Sequence, residues 1–120
     1  TAVGTADNII TFTARDQADK WQGLFFLSNT AANKLEYVTV SYAGSSSFGL
    51  GVEAANIGIE SIGKVAVANS IVSNSNGYGI FVETNAELTD GAGADLTSNQ
   101  EVLDAGNSFS DNTSGETNLP

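Results

Sequence analysis

A short motif recurs along this chain, and a chain that repeats itself every few tens of residues has few ways to fold. Gly23-Leu24-Phe25-Phe26, Gly49-Leu50-Gly51-Val52 and Gly79-Ile80-Phe81-Val82 each place Gly first and apolar residues second and fourth, with Trp21, Phe48 and Tyr78 just ahead. The units lie 26 and then 30 residues apart. A second register aligns Val38-Thr39-Val40-Ser41-Tyr42 with Ser70-Ile71-Val72-Ser73-Asn74 at an offset of 32, and a loop two residues longer in the earlier unit accounts for the difference. Asn107-Ser108-Phe109-Ser110-Asp111-Asn112 reads as a weaker copy of Asn69-Ser70-Ile71-Val72-Ser73-Asn74. Taken alone, Asn69 to Val82 suits a hairpin, because Asn-Gly favours a tight turn. The two registers make it one corner of a coil instead, whose strands pair with coils above and below.

The apolar segments between turns last four to eight residues and carry no helical period. Asp7 to Thr13, Trp21 to Leu27, Leu35 to Tyr42, Phe48 to Val52, Ala55 to Ile59 and Lys64 to Val67 read as strands, the densest being Leu35 to Tyr42 with its β-branched and aromatic residues. One coil cannot bury its own inward side chains, so the coils must stack. The alignment sets Leu24 and Phe26 beside Leu50 and Val52, then Ile80 and Val82. It also predicts an aromatic stack of Trp21, Phe48 and Tyr78 at a corner, and an amide ladder at the turn around Asn74 and Asn112. Ile71 is pointed outward by the alignment and inward by its hydrophobicity. From Asn85 the pattern decays through a loop at Asp90-Gly91-Ala92-Gly93-Ala94-Asp95, an ambiguous Leu96 to Leu103 and a polar tail. The expectation is a single module over 1–120, with coils over about 8–84 and a cap, loop or weak last coil over about 85–120.

Trp21-Gln22-Gly23-Leu24, Leu35 through Gly44, and Asn69-Ser70-Ile71-Val72-Ser73-Asn74 through Gly77-Tyr78-Gly79-Ile80 resemble the repeats of right-handed parallel β-helix proteins, large secreted or surface proteins of bacteria. The resemblance implies an all-β solenoid of three to four coils, an extracellular or cell-surface setting, and a parent chain larger than this one. It also implies that the exposed coil ends are covered by the rest of that parent or by a self-associating copy. It does not select a function, because coils of this kind serve in adhesins, spacers and polysaccharide lyases alike.

Composition narrows the choice. A formal charge of −10, from 14 acids against four cations, argues against nucleic acid or an anionic membrane as partner. No apolar run is long enough to insert in a bilayer, and the opening Thr1-Ala2-Val3-Gly4 is no signal peptide. Without Cys or His there is no thiolate, no imidazole metal site and no Ser-His-Asp triad. Acid-base chemistry would fall to carboxylates, and the alignment puts Glu53 and Glu83 after equivalent strands, as a glycosidase pair requires. Lyases of the resembled kind hold Ca²⁺ on clustered acids and use an Arg or Lys base. This chain has one Arg, in a loop, and no acid pair within a strand. Asp90 and Asp95 have the flavour of a calcium loop, without the alternating ligands or the closing Glu. Trp21 and Tyr37 are the aromatics to consider for stacking on sugars, Tyr37 standing outside the predicted stack. Two readings follow. The first is a structural or adhesive module, a rigid spacer or presenting surface. The second is a carbohydrate-active fragment, either a lyase or glycosidase or a carbohydrate-binding module.

Overall fold

A computed structural model describes all 120 residues. The chain winds through four coils. The first holds β1 (Ala2–Val3), β2 (Ile10–Phe12) and β3 (Leu24–Phe26), and the second β4 (Lys34–Glu36), β5 (Val38–Ser41) and β6 (Ala55–Ile59). The third holds β7 (Lys64–Ala68), β8 (Ile71–Ser73) and β9 (Tyr78–Val82). The fourth holds β10 (Glu87–Thr89), a helix α1 (Asn99–Asp104), β11 (Ser108–Ser110) and β12 (Gly115–Thr117). Corresponding strands form three four-stranded sheets, β1-β4-β7-β10, β2-β5-β8-β11 and β3-β6-β9-β12, in which every neighbour pair is parallel. This is a β-solenoid-like arrangement, and β8 and β9 pair with other coils rather than with each other.

Side chains of like chemistry stack at each level of the interior. Phe12, Val40, Val72 and Phe109 form one ladder, and Leu24, Ile57 and Ile80 another, with Thr117 below them. Val40, Ile57, Val72 and Ile80 are fully buried, each side chain contributing about 1.5–3 kcal/mol. The offset of 32 between Thr39 and Ile71 holds. Ile71 points outward and is 41% exposed, because Val72 takes the inward place.

The first register fails at its middle copy. The partner of Leu24 and of Ile80 is Ile57, not Leu50, which is 66% exposed. Phe48 to Val52 closes a tight turn, with Phe48 N donating to Val52 O at 3.1 Å and Val52 N to Gly49 O at 2.9 Å. This turn lies outside the third sheet. Phe25, Gly58 and Phe81 are register neighbours facing outward, and Phe48 stacks on Phe25 with 4.9 Å between centroids. Gly58 provides the room, since a Cβ there would sit 2.7 Å from the Phe48 ring. Val52, Ala55 and Phe81 are buried in this outer cluster, with Tyr78 packed against them. The predicted Trp21–Phe48–Tyr78 stack therefore does not form. Trp21 packs on the main core instead and donates its indole N–H to Ser41 O at 2.8 Å.

Corners expose backbone groups that the ladders cannot satisfy. The expected long strand over Leu35 to Tyr42 is broken at Tyr37, which lies at φ 51° like its register equivalent Asn69 at φ 50°. The next corner repeats the device with Tyr42, Asn74 and Asp111, at φ 58°, 57° and 55°. An amide ladder exists, but not through Asn74, whose Nδ2 bonds only the neighbouring Ser73 Oγ. It runs through Asn56, which accepts from Ala43 N at 2.9 Å and donates to Ser73 O at 2.8 Å, and on to Asn112, 3.4 Å away. Asn112 in turn donates to Val72 O and accepts from Ser75 N.

The last coil shifts register by one residue from the expected copy. Phe109 pairs with Val72 rather than Ile71, an offset of 37, and so points inward. The extra length goes into α1, in the stretch that gave no clear pattern. Ser98 caps it by accepting from Glu101 N at 3.3 Å, and Gly106, at φ 86°, ends it with a bond from its N to Leu103 O. Val102 carries the helix into the core at 0% exposure. Asn56→Ala should lower unfolding free energy by about 1–3 kcal/mol in urea melts, because it strands the buried Ala43 N while Ser73 O keeps its bond from Tyr42 N. Asn74→Gly, which keeps the left-handed corner, should cost less than about 1 kcal/mol.

Candidate functional site

Activity on such a scaffold would sit on an outward face, and the three faces differ. The third sheet is covered by the outer cluster around Phe48. The second presents Thr11, Thr39, Ile71 and Ser108 in a row. The first carries the ions: Lys34 pairs with Glu36 at 2.9 Å and Lys64 with Glu87 at 2.8 Å. A groove of about 320 Å³ runs beside these lysines under the Asp90 loop, with Asn33 and Thr89 among its walls. Each lysine is already matched by a carboxylate, so the groove offers no net cationic seat for an acidic sugar.

The carboxylates proposed from the alignment take other partners. Val82 pairs with Ile59, so the residue equivalent to Glu83 is Glu60, and Glu53 stands in the exposed turn after Val52. Glu60 and Glu83 converge on one short segment. Glu83 Oε2 accepts from Ser61 N at 3.0 Å, while Glu60 takes the Ser61 hydroxyl at 2.6 Å and Ile62 N at 3.1 Å. The Ser61 hydroxyl, then the Ile62 amide, hold the Glu60 carboxyl below the usual carboxylate range. A general acid needs the opposite shift. The alignment paired Glu83 with Glu53 instead of Glu60 because the motif at Gly49-Leu50-Gly51-Val52 occupied the slot that belongs to Ala55–Ile59.

Asp90 and Asp95 flank the loop as expected, and the loop is closed by its own backbone. Asp90 Oδ1 accepts from Ala92 N at 2.8 Å and Ala94 N at 2.9 Å. The Ala94 amide, followed by Ala92, lowers the Asp90 pKa. Nowhere does the structure gather three or more carboxylates in a group that would hold a metal ion. Of the two aromatics, Trp21 is engaged as described. Tyr37 is half-buried at its left-handed corner, with its N donating to Ala68 O and its O accepting from Ile10 N. Of the residues singled out from sequence, Asp90 and Asp95 share a cleft of about 230 Å³ whose walls also include Glu101 and Asp104, and no helix is long and apolar enough to cross a membrane. Comparisons with protein-family models, curated proteins and solved structures found no match to this chain.

The titrating groups that do shift act on stability. Glu60, Asp90 and Glu101 all have lowered folded-state pKa values. Their contribution is therefore present above the unfolded carboxylate range near about pH 4 and is lost as pH falls through the folded values. Lys64, raised by Glu87, contributes below the ordinary lysine range and loses that contribution as pH rises through its folded value. Thermal melts followed by circular dichroism should show a plateau from about pH 5 to 9 and a falling midpoint below about pH 4. Asp90→Asn should flatten part of the acid limb.

Proposed function

We propose that this chain is a structural module of a larger secreted or surface protein of bacteria, a right-handed parallel β-helix serving as a rigid spacer or a presenting surface. The observation that carries this reading is where its polar side chains are spent. Asn33, Asn56, Asn107, Asn112 and Asn118 all bond backbone groups of another coil. Asn107 alone ties three segments, donating to Val67 O and Val102 O and accepting from Ser70 N. Side chains committed to joining coils resist shear and heat, which is what a spacer requires. The carboxylates nearest a catalytic arrangement are likewise turned onto backbone N–H groups. Partners in this role are the rest of a parent chain or another copy at the coil ends, and a polysaccharide is the ligand class suited to a presenting surface.

The purified chain, incubated with a panel of neutral and acidic polysaccharides, should release no new reducing or unsaturated ends. Turnover abolished by Glu53→Gln or Glu83→Gln would overturn the structural reading in favour of a carbohydrate-active one. Glycan-array binding lost in Tyr37→Ala with an unchanged melting midpoint would point to a carbohydrate-binding module. Trp21→Ala cannot serve that purpose, because removing a side chain packed on the core should itself lower the midpoint by several degrees.

A further inference from the structure

The two ends of the stack are built differently. At the C-terminal end the free edge of β10 is strapped by the following segment, with Leu96 N donating to Leu88 O at 2.8 Å and Asp90 N to Ala94 O at 2.9 Å. Val102 and Leu119 close the interior from below, and Asn99 N ties the tail at Pro120 O, 2.8 Å away. At the N-terminal end nothing comparable covers β1, β2 and β3. Ala2, Ile10, Phe12, Leu24 and Phe26 are the inward residues of the first coil, in register with Leu35, Val38, Val40, Ile57 and Ile59. Those partners are exposed by no more than 3%, whereas Ile10 is 37% exposed and the other four are only half-buried. Val3, Ile9 and Leu27, also in the first coil, are each nearly half exposed.

We propose that this N-terminal face is a docking surface for one more parallel β-coil, carried on the same polypeptide ahead of Thr1 and seated in register with β1, β2 and β3. The inference rests on the solenoid reading and adds the partner, its direction and its register. The ladders decide the occupant. All three sheets end on a free parallel edge, and a coil of the same triangular path continues them with aliphatic side chains over Ile10, Phe12, Leu24 and Phe26. A second copy of this chain fits less well. Its C-terminal end is closed, so only its N-terminal face is available, and two such faces meet with strands antiparallel and two of the three sheets exchanged. Each copy also carries a charge of −10.

The register allows a direct test. Lys34 pairs with Ala66, so a copy of residues 34–65 placed ahead of Thr1 sets Thr1 where Ala66 stands relative to its own coil. A second extension, a copy of residues 64–88, does the same through the pairing of Lys64 with Glu87. At least one extended chain should be monomeric, melt about 5 °C or more above the native chain, and slow amide exchange in β2 and β3 at least about tenfold. Ile10→Lys should shift the native midpoint by less than about 2 °C and the extended one by about 5 °C or more. The proposal is overturned if both appended coils are digested back to Thr1 with exchange in β2 and β3 unchanged. It is equally overturned if the native chain sediments as a dimer that Ile10→Lys dissociates, which would make a second copy the occupant. Neither result touches the structural reading, which polysaccharide turnover decides.

Discussion

A coil that passes through three sheets must turn corners, and every corner takes backbone N–H and C=O groups out of the ladders. The fold depends on repairing that loss at the same place in each coil. Single left-handed residues, Tyr37 and Asn69 at one corner and Tyr42, Asn74 and Asp111 at the next, turn the chain within one residue and keep the following strand in register. For Asn and Asp this conformation costs little, and for Tyr more, so the tyrosine corners persist because the strands on both sides fix them. Where the turn is wider, an asparagine amide replaces the missing partner. Asn56 and Asn112 do so beside the second corner, and Asn107 does so between α1 and the third coil.

Once the corners repeat, packing follows with little further choice. Parallel register places each inward residue over its counterpart, so Phe12, Val40, Val72 and Phe109 form an apolar ladder, while the Leu24–Ile57–Ile80 ladder ends on the hydroxyl-bearing Thr117. Outward faces are free to differ, and they do. Sheet one carries ion pairs, sheet two small hydroxyls around an exposed Ile71, and sheet three an aromatic layer sealed by Phe48 in the gap left by Gly58. On the third sheet Phe48 covers Phe25 and Gly58. At the corners, Asn56, Asn107 and Asn112 are occupied in holding coils together.

Some of this was written plainly in the residues. Val38 to Tyr42 and Ser70 to Asn74 share β-branched alternation and a polar turn residue, and their offset of 32 is the observed register. The copies that misled did so for definable reasons. Gly49-Leu50-Gly51-Val52 imitates a strand start, yet two of its glycines have φ near +85° and it closes on itself as a turn. That displaced Ala55–Ile59 from its place and paired Glu83 with Glu53 instead of Glu60. The last copy slipped by one residue, because Ser108-Phe109-Ser110 alternates equally well in either register until an inward partner is named. Leu96 to Leu103 gave no clear pattern because the six residues of α1 are too few to show a helical period, although Ser98 and Gly106 are the residue types that cap a helix.

By itself the sequence determined that this chain is a repeating, nearly all-β stack, because short β-branched segments punctuated by Gly and Asn have no stable helix or isolated hairpin to form. It determined the register of the strongest pair of strands and the chemistry that lacks its residues, the thiolates and imidazoles. Only the tertiary structure decided which asparagines bridge coils, which carboxylates meet at Ser61, and that one end of the stack is closed while the other is open. The physical reason is common to all three. Each depends on which residues of different coils lie one strand spacing apart, and in a solenoid with coils of unequal length that distance is set by the loops, whose lengths carry no pattern of their own.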